Sequence, residues 1–265
     1  NAAPVTVNAG LVDMRGGTST HAYSLIGHGG AYVNGSSGGA TAAESAVSVT
    51  TMGTAATDGV RLRGGTGDTS YAMIGSGGQG GNLDFDVLGD VTVTSAGGGV
   101  SLEGGSTNAF ALIGNGGHTL AGMLSGTTNV FSNGVGVGND ISLKGGTGTD
   151  AFAMIGQGGR DVRGTFTGAV NVTAGAGGLI LAGGGTRAFA QVGHGGYNGA
   201  GAVGVYTINA AAVTVNAGLV DLRGGGSNAY AQIGHGGTYA NGSVSGSAIS
   251  LTTVGTAATD GVTLQ

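Results

Sequence analysis

NAFALIGNGG, residues 108–117, holds a strand and the device that ends it. Phe110, Ala111, Leu112 and Ile113 alternate with the period of two expected of a β-strand. Gly114, Gly116 and Gly117 then interrupt it, as glycine does where a chain must turn sharply. The alternation puts Ala111 and Ile113 on one face and Phe110 and Leu112 on the other. Which face points inward is left open by the sequence. Five more copies accompany this one: HAYSLIGHGG at 21–30, SYAMIGSGG at 70–78, DAFAMIGQGG at 150–159, RAFAQVGHGG at 187–196 and NAYAQIGHGG at 228–237. Their central glycines, Gly27, Gly75, Gly114, Gly156, Gly193 and Gly234, fall 48, 39, 42, 37 and 41 residues apart. A period near 40 is a signature of solenoids and arrays.

Two further motifs precede each copy or most copies. LVDMRGG, VRLRGG, VSLEGG, ISLKGG, LILAGG and VDLRGG come directly before. Ahead of these stand VTVNAG at 5–10, VTVTSAG at 91–97, VNVTAG at 170–175 and VTVNAG at 213–218. Both alternate as half-buried strands do. A longer repeat overlies them. Residues 1–30 return nearly unchanged at 209–237, and TTMGTAATDGVRL at 50–62 returns as TTVGTAATDGVTL at 252–264. The chain therefore reads as one continuous array over 1–265, a window on a longer tandem series with no internal domain boundary.

Composition supports that reading. Of 265 residues 64 are glycine, more than three times the usual ~7%. There is one proline and no cysteine, which excludes collagen, a disulfide framework and a cysteine-ligated metal. Hydrophobic residues make up 40% and charged residues 8%, the reverse of a disordered chain. Eight Lys and Arg against thirteen Asp and Glu, for a net charge of -5, leave no basic stripe for nucleic acid. Glycine interrupts each apolar run before the ~18 residues a membrane helix needs, so no membrane insertion is expected.

The fold expected is all-β: a parallel β-helix or β-solenoid of ~40-residue repeats, right-handed by the usual crossover rule. Each repeat supplies about four short strands. One 40-residue coil would set every motif copy on the next, whereas two 20-residue coils would alternate it with a less regular one. The reading preferred from sequence is two coils.

Stacking would align equivalent residues into ladders. Tyr23, Tyr71, Phe110, Phe152, Phe189 and Tyr230 form an aromatic series, expected to pack between coils; the alternative is an outward platform for sugar or another fibre. His28, Ser76, Asn115, Gln157, His194 and His235 form a polar series after Ile-Gly or Val-Gly, suited to a hydrogen-bonded ladder. Only His194 and His235 are neighbouring histidines and no carboxylate recurs beside them, so no metal is expected. Arg15, Arg63, Glu103, Lys144, Ala182 and Arg223 precede the middle Gly pair. Two places earlier stand Asp13, Arg61, Ser101, Ser142, Ile180 and Asp221. These face solvent if the Val and Leu between them face the core.

Sharper chemical motifs are sparse. GGTGTDAFA at 145–153 spells the calcium β-roll nonapeptide, but no second copy lies alongside to share an ion, and no cofactor is expected. GSSGG at 35–39 spells G-x-S-x-G around Ser37 without the strand-to-helix context that chemistry needs. Asp84 and Asp86 are the closest alternating carboxylates. Asn34, Asn171 and Asn241 head N-x-S/T sequons, the pattern of glycan acceptors, with turn formation the competing role. No catalytic constellation is evident, so no enzyme is expected.

The six IGxGG or VGxGG copies with their preceding YA or FA, the V-x-L-x-G-G strand, and YAQIGHGG at 230–237 above all resemble the repeat region of large bacterial exoproteins of the filamentous-haemagglutinin type. The resemblance covers nearly the whole chain. It implies an exported rod-like β-helix at the bacterial cell surface or outside it, serving attachment, cell–cell adhesion or matrix building. It carries over no binding residues, because it lies in structural repeats. The partners it implies are the chain itself, through end-to-end or lateral fibre contacts, and surface glycans or neighbouring cells. A glycan- or surface-binding module using the aromatic or polar series is the alternative function, and a polysaccharide-acting β-helix enzyme the last.

Overall fold

A computed structural model describes residues 3–32, 35–36, 45–55, 57–134, 139–198, 206–209, 211–239, 242–254 and 261–265. These residues form a parallel β-solenoid of three sheets, with no helix among the named elements. The first sheet stacks seven strands in sequence order, from Val5–Ala9 through Val47–Thr51, Val91–Ser95, Thr128–Ser132, Val170–Thr173 and Val213–Ala217 to Ile249–Thr253. The second stacks seven strands from Val12–Arg15 to Gly261–Leu264 in the same manner. The third has thirteen strands and is curled. It takes one row from the aromatic motif, such as Ala111–Ile113, and another from the segment that follows, such as Gly116–Ser125.

One coil is one repeat. Ile74, Ile113 and Ile155 pair directly across adjacent strands, and Val47 pairs with Val5 and Val91. This corrects the preference for two 20-residue coils. The second half of each repeat does not close a coil of its own. It stays in the curled sheet and pairs with the same half of the next repeat, as Ala121–Ser125 does with Arg163–Thr167. The sequence period fixes the repeat, not how many turns the chain makes within it.

Three apolar cores run along the axis. The largest lies between the three sheets, where Val47 and Val49, Val60 and Leu62, and Ala72 and Ile74 meet from one coil. All six are at most 1% exposed. Alternation is strict, with Val91 and Val93 buried while Thr92 and Thr94 are half-exposed. Burying each Val, Leu or Ile is worth ~1.5–3 kcal/mol, yet ordering each residue costs ~1–2 kcal/mol. A coil gains on that exchange only when neighbours cover both its flanks, which accounts for the tandem repetition.

The second core lies on the opposite face of the aromatic-motif strands and holds Tyr71, Phe110, Phe152 and Phe189 with Met73, Leu112 and Met154. Ala and Ile therefore face the main core and the rings face the second. The chain curls around its own ring. A Cβ added at Gly78 would come 2.5 Å from the Tyr71 hydroxyl, and one at Gly159 would come 3.0 Å from Phe152 Cζ. A third core, including Leu124, Phe166 and Ile208, lies farther along the curled sheet.

The corner before each aromatic strand uses a residue the sequence reading did not single out. His21, Thr69, Asn108, Asp150, Arg187 and Asn228 all adopt positive φ between 55° and 62°. The sequence reading assigned such conformations to glycine. Four of these six are His, Asn or Asp, the side chains that enter the left-handed region most readily, and that bias was the available signal.

Candidate functional site

The aromatic series forms a continuous stack. Ring centroids along Tyr23, Tyr71, Phe110, Phe152, Phe189 and Tyr230 are 4.6–5.0 Å apart and interplanar angles are at most 6°. That spacing is the distance between neighbouring strands. Tyr71, Phe110, Phe152 and Phe189 are 0% exposed, so these rings present no platform to a sugar. Burial pushes the Tyr71 phenol far above its ordinary range, and its hydroxyl finds no hydrogen-bond partner among the described residues. Tyr71→Phe, which copies Phe110 one coil on, should therefore stabilise the fold by about 1 kcal/mol. A denaturant midpoint that fell or stayed unchanged would show that the hydroxyl is satisfied.

The polar series is buried as well and ties two parts of the coil together. Ser76, Asn115, Gln157 and His194 are at most 1% exposed. Asn115 Nδ2 donates to the carbonyls of Gly89 (2.8 Å) and Ser125 (3.2 Å). Gln157 Nε2 donates to Gly126 (2.5 Å) and Thr167 (2.8 Å). His194 Nε2 donates to Gly168 (2.9 Å), and His235 Nε2 to Ala211 (2.7 Å). Each reaches the bend that leads from the curled sheet back to the first sheet. Asn115 and His194 also accept from the adjacent coil. Ser76 N donates to Asn115 Oδ1 at 3.1 Å, and Gln157 N to His194 Nδ1 at 3.1 Å. The His194 and His235 rings stack 5.2 Å apart. Three residue types, Asn, Gln and His, do one job, because the job needs only a donor tip that reaches the bend. Burial holds the imidazoles of His28, His194 and His235 below the ordinary histidine range, with His194 at about 4.

Charge collects at two other places. On the outer face of the second sheet Arg15 pairs with Asp13 at 3.0 Å, Arg223 with Asp221, and Lys144 with Glu103 of the neighbouring coil at 2.9 Å. A shallow groove of about 330 Å³ on this face is lined in part by Arg61, Ser101, Asp140, Ser142 and Ile180. Its charges are of mixed sign.

The second collection sits at the corner beside the aromatic stack. Asp150, 3% exposed, receives two hydrogen bonds from Arg187, each 2.6 Å, and forms an ion pair with Arg160, whose Nε lies 3.2 Å away. Arg160 also pairs with Asp161 at 3.3 Å and donates to His118 Nε2. Arg187 lies 5.3 Å over the Tyr197 ring. Burial, then the charge of Arg160, pushes His118 down to about 4. Sequence reasoning noted Asp150 only as part of a calcium nonapeptide. Its carboxylate instead faces two guanidinium groups, which compete with any cation. Among the described residues no group of three or more His, Asp or Glu could hold a metal ion.

No family model, no curated protein and no solved structure matches the chain. The reading of function therefore rests on the coil itself and on the repeat resemblance.

Of the sequons, Asn171 lies on the outward side of the first sheet, with its Nδ2 donating to Asn129 Oδ1 at 2.9 Å. Asn34, Asn241, Ser37 and the Asp84 side chain lie outside the described residues. Asp86 Oδ1 accepts from Met123 N at 2.7 Å.

Proposed function

We propose that this chain is a shaft segment of a large bacterial surface exoprotein, a structural rod of the filamentous-haemagglutinin type. In that role it holds a distal part away from the cell, or builds a filament by coil stacking, and so supports adhesion, cell–cell contact or matrix formation. The observation that supports it is the in-register stacking of equivalent residues through all three sheets, such as Val47, Val91, Thr128 and Val170 in one and Val60, Val100, Ile141 and Leu179 in another. Each added repeat lengthens the object by one strand spacing of ~4.8 Å and leaves its cross-section unchanged. A part used for reach is well served by that geometry. The residues most repeated between copies are spent on internal ladders, which suits a body that must be rigid and extendable.

The test is made in the bacterium that produces the protein. Antibody against the repeat should label the cell exterior. Deleting one whole repeat should shorten the surface filament by ~4.8 Å without abolishing it, and deleting many should reduce attachment or aggregation. Label confined to the cell interior, or attachment indifferent to shaft length, would overturn the reading.

A further inference from the structure

The outward side of the first sheet differs from that of the second. Its strands present two rows of side chains. One row runs Thr6, Ser48, Thr92, Asn129, Asn171, Thr214 and Ser250, and the other Asn8, Thr50, Thr94, Phe131, Thr173, Asn216 and Thr252. None is charged, whereas the outer face of the second sheet carries Asp13, Arg15, Arg61, Arg63, Glu103 and Lys144. Thirteen of the fourteen are hydroxyl or amide residues. The exception, Phe131, is half-exposed between Thr94 and Thr173 of the two neighbouring strands. Neighbouring amides are already ordered along the axis, with Asn171 Nδ2 on Asn129 Oδ1 at 2.9 Å and Asn129 Nδ2 on Thr92 Oγ1 at 3.4 Å.

We infer that this face is a lateral docking surface for a second copy of the same chain, with Phe131 near a two-fold axis. The inference rests on the shaft reading and says how two shafts would join side by side. Three physical points select a second copy as the occupant. The face repeats at the strand spacing, and another solenoid of the same sequence matches that period by construction. Hydroxyls and carboxamides both donate and accept, so the rows are complementary to themselves, which an isologous contact requires. A lone aromatic surrounded by polar residues is the arrangement of an interface anchor, and a two-fold axis would bring Phe131 onto its counterpart. Seven strands of about five residues make a face of about 30 by 17 Å. Pairing two of them buries roughly 1,000 Å², the lower end of specific interfaces. The contact is thus weak for a segment of this length and reversible.

The chain has no native cysteine, so single-cysteine variants report the contact cleanly. Under mild oxidation at high protein concentration, Thr173→Cys, which leaves Phe131 in place beside it, should form a disulfide-linked dimer at least about tenfold faster than Ser142→Cys on the second sheet. Thr94→Cys, on the other side of Phe131, should behave like Thr173→Cys and guards against a local folding defect. In sedimentation experiments the unaltered chain should dimerise as concentration rises, and Phe131→Lys should abolish this with an unchanged β-sheet spectrum. Equal crosslinking at 173 and 142 would overturn the proposal. So would a chain that stays monomeric, including one that instead binds crystalline cellulose, chitin or ice through this face. Failure here leaves the shaft reading intact if surface filaments are still seen; loss of surface location defeats the shaft reading and not this contact.

Discussion

Gly156→Ala is expected to break the solenoid between two coils. Gly156 has φ +136°, a conformation essentially reserved for glycine. A Cβ there would lie 1.9 Å from the carbonyl oxygen of Gly193, its counterpart one coil on. The obstructing atom is backbone in a hydrogen-bonded stack, where Gly193 N donates to Ile155 O at 2.9 Å and Gly156 N to Ile113 O at 2.9 Å. Relief would require separating the coils, so the loss should exceed about 4 kcal/mol, the range of exceptional single substitutions. Because a solenoid is held by nearest-neighbour interfaces, unfolding should also cease to be a single transition. Gly175→Asn is the matched control. Gly175 has φ +57°, which asparagine tolerates, and its nearest obstruction is Ser132 O at 3.4 Å. Denaturant titration followed by circular dichroism should show a large loss for the first variant and under about 1 kcal/mol for the second. Equal losses would mean that glycine at 156 serves no close approach.

That contrast shows where the sequence was informative. Alternating Val and Leu in VTVTS and VSLE declare strands with one buried face, and the ~40-residue recurrence declares stacking. Both are properties of side-chain pattern, and both reach the structure unchanged. The coil length was not legible, because GGHTLAGMLS, which forms Gly116–Ser125, is too rich in small residues to say whether it closes a turn. What holds it in the curled sheet is pairing with the neighbouring repeats on both sides. The side of the strand taken by Phe110 could not be read either, since Ala and Ile on one side and Phe and Leu on the other both suit a core, and the coil has more than one. The ladder after Ile-Gly was visible as a row of polar residues. Its partners were not, because Asn115 bonds Gly89 and His194 bonds Gly168, contacts that exist only once the bend is closed. The charged corner escaped notice because Asp150 and Arg187 share a repeat position whose residue type changes from copy to copy, His21, Thr69, Asn108 and Asn228 standing there elsewhere, and Arg160 comes from the segment after the aromatic motif.

Those buried imidazoles make the solenoid sensitive to mild acid. His194 is 0% exposed and uses both ring nitrogens, Nε2 donating to Gly168 O and Nδ1 accepting from Gln157 N. That fixes one neutral tautomer. A proton on Nδ1 would confront a backbone N–H, with the His235 ring stacked alongside at 5.2 Å. Burial accordingly lowers His194 to about 4, and burial with the Arg160 charge lowers His118 to about 4, while an unfolded histidine titrates near 6.5. Between those values the unfolded chain binds protons that the folded chain refuses, so stability falls as pH drops from about 6.5 towards 4. Each of the two histidines contributes roughly 3 kcal/mol over that interval, with smaller losses of the same sign from His28 and His235. Set against a typical stability of ~5–15 kcal/mol, this should bring a marked fall in the denaturant midpoint by pH 5, before carboxylates begin to titrate.

His194→Gln separates this cause from general acid damage. Gln157 already fills the equivalent place one coil earlier, donating to Gly126 and Thr167. Asn115 shows that a carboxamide oxygen can take the acceptor role, through its bond from Ser76 N. The variant should therefore match the parent within about 1 kcal/mol at pH 8 and lose about half of the decline between pH 6.5 and 4.5. His118→Gln should remove a comparable share at a separate site, and the two effects should add, because the two histidines share no hydrogen-bond partner among the described residues. A parent midpoint that is flat from pH 8 to 5, or a His194→Gln variant that declines as steeply as the parent, would show that the ladder admits a charged imidazole.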